Sequence, residues 1–235
     1  MTASPAKFST ERQAIEIAGF AGILSLALGL AGVIVGRMWA FPGTGATAGE
    51  IAGFVDAHRS ALLIDMVLTT IAVWLWLIFG VGVWLRLRGS ADSEGFLPMS
   101  FLAGLVSFVT LLFAGFACFF VLVYRTPEAS DPRLLYDLSF GLLAISGAPT
   151  ALALASYAAL VLRSGCLPRW TALLGVVAAL AHIMLLASLL ITSGFFSLEG
   201  GVTIAIPAVL FAWIVGTSIA MIAGGQTEGP VHAPA

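Results

Sequence analysis

Charge is what this sequence has least of. Of 235 residues only 9% are charged, ten Lys or Arg against twelve Asp or Glu, while 60% are hydrophobic. Mean hydropathy is +1.07. Ordinary soluble domains carry about 25% charged residues, so a water-facing surface cannot be built from this composition. Lysine is scarcer still. Lys7 stands alone, which excludes a Schiff-base chromophore held by a buried lysine amine. The two cysteines, Cys118 and Cys166, form no CxxC pair and no zinc spacing, and they fall in separate segments, so no disulfide framework is expected. HExxH, GxSxG and GxxxxGK are all missing, which removes the common signatures of zinc peptidases, serine hydrolases and P-loop enzymes. Arginines form no ladder, so voltage sensing is not indicated. A net charge of −2 and the lack of a basic face argue against a nucleic-acid partner.

What is there is long apolar runs. A hydrocarbon core of about 30 Å needs about 20 apolar residues in a helix. Six segments meet that length: Ile15–Met38, Leu62–Leu85, Leu97–Tyr124, Pro132–Leu162, Trp170–Thr192 and Val202–Ala223. Continuous apolarity, rather than strand alternation, makes them helices, because backbone exposed to lipid must satisfy its own hydrogen bonds. The expected fold is all-α: a polytopic transmembrane bundle of about six helices in a single domain, residues 1–235. Gly, Pro, Ala and Thr enrich residues 1–8 and 224–235, which read as flexible tails. The first apolar run is longer than a signal h-region, and Glu11 and Glu16 are unusual in an n-region, so it is taken as a retained helix.

Basic residues set the expected orientation. With the N-terminus inside, Lys7, Arg12, Arg86, Arg88, Arg163 and Arg169 are cytoplasmic, against Arg37, Arg59, Arg125 and Arg133 outside. Both ends are therefore placed inside, with the plasma membrane as the expected location. In the first outer connection, AFPGTGA is a turn, and Thr47 with Glu50 makes a capping box. Ile51, Phe54, Val55 and His58 follow at i, i+3, i+4, i+7, which predicts a short amphipathic helix at the interface or over the bundle mouth. Asp131 with Pro132 predicts a capped start for the fourth span.

Candidate functional residues are few. His182 is the one ionisable group placed near the middle of a span, where a near-neutral imidazole can relay protons or contact a solute. A helix-to-helix hydrogen bond is the structural alternative. Pro149 and Pro207 each remove a backbone hydrogen bond inside a span, as broken helices at transport sites do. His182, Pro149 and Pro207 thus form a candidate solute or proton site. His58, Arg59, Asp65 and Asp137 form a candidate outer-rim polar site, able in principle to hold a cation, with a solvated rim of ion pairs as the alternative. A bis-histidine haem needs a second buried His, whereas His58 falls in a loop and His232 in the tail. No cofactor is indicated. Gly32-x-x-x-Gly36 and the Ala/Ser run 151–159 suit close helix packing, within the bundle or with a homo-oligomer or membrane-protein partner. Trp74, Trp76, Trp213 and the Phe-rich third span either line an apolar cavity or pack as core.

Hairpin-like echoes run along the chain: Trp84-Leu85-Arg86 and Leu160-Val161-Leu162-Arg163 each close a span and precede a Leu-Pro pair. The LRxG…LP punctuation, Arg169-Trp170 with Gly175, and Glu50…His58-Arg59 together give the chain a likeness over nearly its whole length. It resembles a family of bacterial six-helix integral membrane proteins of about 230 residues and unknown function. That resemblance implies a plasma-membrane bundle and assigns no activity. Three functions stay open: a permease or carrier for a small neutral or apolar solute, a non-catalytic subunit of a membrane complex, and a membrane enzyme or metal or haem protein.

Overall fold

The computed structural model describes residues 5–89, 95–126 and 131–227. Glu128, His232 and the outer parts of both tails, 1–4 and 228–235, lie outside them. All regular structure among the described residues is helical: α1 (Pro5–Gly36), α2 (Ala48–Arg88), α3 (Phe96–Arg125), α4 (Pro132–Ile145), α5 (Gly147–Ser164), α6 (Arg169–Leu185) and α7 (Val202–Thr227). Helices α4 and α5 together make one crossing, so the described chain has six helical stretches long and apolar enough to span a bilayer. This is the expected six-helix bundle. An even number of crossings returns the chain to its starting side. Arg88 of α2 accordingly meets Glu11 of α1 at 3.3 Å at what we call the terminal end.

The far end departs from the expected detail. Thr47 accepts from the Glu50 backbone N–H at 3.3 Å, and the Glu50 carboxylate accepts from the Thr47 N–H at 2.7 Å, so the capping box is present. The helix it opens does not stop, however. Residues 48–58 continue without interruption into the second span as α2, 41 residues and about 60 Å long. Burial explains this continuity. Ile51, Val55 and Leu62 are sealed against Leu122 and Val123 of α3 and Tyr136 of α4, so the first turns stand upright in the bundle.

Helix α1 ends at Gly36 because Arg37 adopts left-handed backbone, φ 53° and ψ 45°. The chain then folds back over the bundle mouth. Phe41 of this connection stacks on Phe119 at 5.6 Å and meets Phe54 and Phe140 edge-on. Tyr136 donates to the Pro42 carbonyl at 2.7 Å, holding the loop down. At the terminal end, Gly165 takes φ 64° and turns the chain between α5 and α6.

Two polar ties join helices in the lower bundle. Trp76 donates to the Ser25 hydroxyl at 3.0 Å, and Ser25 donates on to the Gly22 carbonyl at 2.6 Å. Tyr157 donates to Thr171 at 2.7 Å and lies 3.1 Å from the Thr217 hydroxyl, linking α5, α6 and α7.

A candidate binding cavity under the first connection

Between α2, α3 and α4, directly beneath Phe41, lies a cavity of about 80 Å³. Phe41, Met66, Phe116, Phe119, Phe140 and Leu143 make most of its wall. At about 10–15 Å³ for a water-sized group, it holds roughly five to eight heavy atoms. One charged side chain lines it: Asp65.

Asp65 is 1% exposed. It stands seventeen residues after Ala48, about 25 Å down α2, so it is well below the helix start. Its Oδ1 accepts from the Thr69 hydroxyl at 2.9 Å, while its Oδ2 has no partner among the described residues. None of the described ion pairs includes it. The carboxyl group packs on α1, where Gly32 and Gly36 leave the room it occupies. The GxxxG spacing is therefore used for close approach, with an acidic side chain in the gap. An isolated ionised carboxylate is very costly in such surroundings, so a proton or a cation must accompany it.

The other outer-rim candidates point elsewhere. His58 Nδ1 bonds the Phe54 carbonyl at 2.9 Å, and its ring lies 4.6 Å from that of Phe54. Arg59 donates to the Tyr124 carbonyl at 2.6 Å, satisfying the end of α3. These two share an open surface groove with Arg37 and Asp56. Asp137 pairs with Arg133 at 3.5 Å, one turn away on α4. So His58 and Arg59 are neighbours, and Asp65 and Asp137 stand apart from them. Among the described residues, no three His, Cys, Asp or Glu side chains come together as a metal set.

His182 is buried in the middle of the bundle. Its Nδ1 bonds the Ala178 carbonyl at 2.7 Å, one turn back, and its ring meets Phe108 edge-on at 6.5 Å. It does not line the cavity. Its own carbonyl fills the space a side chain would need at Gly147. Gly147 adjoins the break between α4 and α5 at Ser146. Pro149 sits three residues into α5 and cannot donate to the Ile145 carbonyl, which accounts for the break. Ser146, at the break, donates its hydroxyl to the Leu143 carbonyl at 2.6 Å, and Leu143 is a cavity wall. The broken crossing and the cavity are thus one turn apart. Pro207 lies inside α7, which continues through it.

Two further features adjoin this site. A lipid-facing groove between α2 and α3 is lined by Val67, Ile71, Phe113, Phe120 and Val121, and shares Met66 and Phe116 with the cavity. At the far end, Glu199 is 9% exposed, with neither carboxyl oxygen hydrogen-bonded among the described residues. Burial pushes its carboxyl above the usual range; the nearby Thr44 hydroxyl opposes the rise, and Asp137 adds to it.

The wall residues Phe41, Thr69, Ser139 and Leu143 carry no sequence signal of a site, since apolar and small polar residues fill every span. The one available clue is an acidic residue inside a predicted span, Asp65. No family model, curated protein or solved structure matches the chain.

Proposed function

We propose that the protein is a permease or carrier for a small, largely apolar solute, with the cavity beneath Phe41 as its binding site. The observation that carries this reading is a partly open apolar cavity with one buried carboxyl group in its wall, one turn from a proline-broken crossing. Helices interrupted beside a binding cavity are what alternating access uses. The shared walls Met66 and Phe116 separate the cavity from the lipid-facing groove, which gives an apolar solute a lateral route. Phe41 closes the far side. In this reading the terminal end faces the cytoplasm, following the basic-residue bias, and the bilayer is the plasma membrane.

Solute flux tests it. Reconstituted into liposomes, the protein should speed entry of solutes of about five to eight heavy atoms, followed by vesicle swelling. Leu143→Trp, which fills the cavity, should bring the rate down to that of empty vesicles, and Phe41→Ala should raise it. Swelling no faster than protein-free vesicles for every solute in a panel of neutral and amine-bearing compounds would rule the proposal out.

A further inference from the structure

We propose that the cavity takes a small organic ammonium group, with the Asp65 carboxylate as its counter-charge. This rests on the carrier reading above and adds the substrate class. Three observations support it. Among the described residues, the buried carboxylate has an unpartnered oxygen and no cationic side chain paired with it. Four aromatic rings, those of Phe41, Phe116, Phe119 and Phe140, share the cavity wall with it. Side-chain oxygen ligands for a metal ion are few: among the described residues the wall offers those of Asp65, Thr69 and Ser139.

These features choose among cations. Hard metal ions need about six oxygen ligands to replace their hydration shell, which this wall cannot supply. An alkylammonium holds its water weakly, presents apolar substituents to apolar walls, and is attracted by the faces of aromatic rings. Its charge also answers the charge on Asp65. The volume matches a head of tetramethylammonium size, five heavy atoms, by the same water-sized measure. Amines bearing an apolar chain can extend that chain between Met66 and Phe116 into the groove facing lipid.

The test compares tetramethylammonium with tert-butanol, its neutral counterpart of equal size, on the full-length protein in lipid nanodiscs. Equilibrium dialysis with labelled ligand should show saturable binding of tetramethylammonium, at least tenfold tighter than tert-butanol. Asp65→Asn, nearly isosteric, should reduce tetramethylammonium binding at least tenfold and leave tert-butanol unaffected, with an unchanged elution profile. Thr69→Val, which keeps the charge, should retain the preference for the cation. Equal binding of the two ligands, or tetramethylammonium binding undiminished in Asp65→Asn, overturns the ammonium assignment. If neither ligand binds while solute flux blocked by Leu143→Trp persists, the ammonium assignment fails and the carrier reading stands. If tetramethylammonium binds as expected but no solute crosses, the carrier reading fails and the binding site stands.

Discussion

Gly36 of α1 and Asp65 of α2 face each other so closely that a Cβ on the glycine would overlap the carboxyl group. A Cβ added to Gly32, one turn earlier, would likewise lie 2.6 Å from both Asp65 Oδ1 and the Thr69 hydroxyl. The two glycines therefore set how deeply the acidic side chain can sit between the helices. Overfilling a packed contact costs about 1–3 kcal/mol. Gly36→Ala should lower stability by that amount, read as a lower unfolding temperature in detergent. Gly53, on an open face of α2, has nothing within 4 Å of an added Cβ. Gly53→Ala should instead stabilise the helix by about 0.5–1 kcal/mol. Equal effects at the two positions would contradict the packing described.

Which parts of this arrangement were legible in the sequence follows from the range of the forces involved. Span positions depend on local apolarity, and caps depend on residues three apart, so the six crossings and the Thr47–Glu50 box could be read directly. The continuity of α2 could not. It depends on Ile51 and Val55 finding Leu122 and Tyr136, residues about 70 to 85 positions further along the chain. The burial of Asp65 has the same origin: its sequence position puts it near the outer start of the second span, and it is the upright turns above it that bury it. Phe41 reads as part of a Pro/Gly turn, because nothing local announces that Phe119 and Phe140 will receive it.

Arg37 carries the only left-handed backbone found outside glycine among the described residues. That conformation brings the side chain's Cβ too near the following carbonyl, at a cost of roughly 1–2 kcal/mol that glycine escapes. It also directs the chain back over the mouth so that Phe41 can seat. Arg37→Gly should therefore be more stable than Arg37→Ala by about 1 kcal/mol, since both lose the charge and only glycine loses the strain. Thermal unfolding of the pair, side by side, measures the difference. An alanine variant as stable as the glycine variant would mean that the turn is relaxed.

The Tyr157 hydroxyl ties three helices through Thr171 and Thr217, and Thr171 itself donates to the Pro168 carbonyl at 2.8 Å. Hydrogen bonds between membrane helices average about 0.6 kcal/mol and reach about 1.7 kcal/mol. Tyr157→Phe should destabilise within that range while keeping the ring's contacts with Phe101 and Trp213. In a double-mutant cycle with Thr217→Val, a coupling energy near zero would show that the 3.1 Å contact contributes nothing.

Glu199 gives the fold a pH dependence whose sign can be worked out. Its carboxyl is held above the ordinary value of 4.5, chiefly by burial. The folded state therefore keeps its proton to a higher pH than the unfolded chain does. Below pH 4.5 both states are protonated and the group costs the fold nothing. As pH rises from there to the raised folded value, the unfolded chain releases its proton first, so stability falls across that window. Above it the loss is complete and constant. Glu199→Gln remains neutral throughout and should lack this decline. Unfolding temperatures of the two proteins, compared from pH 4 to pH 8, should separate progressively with the glutamine form higher at the upper end. Parallel curves would mean that the carboxyl is as well solvated when folded as when unfolded, and the far-end loop would then have to be open to water around Glu199 and Thr44.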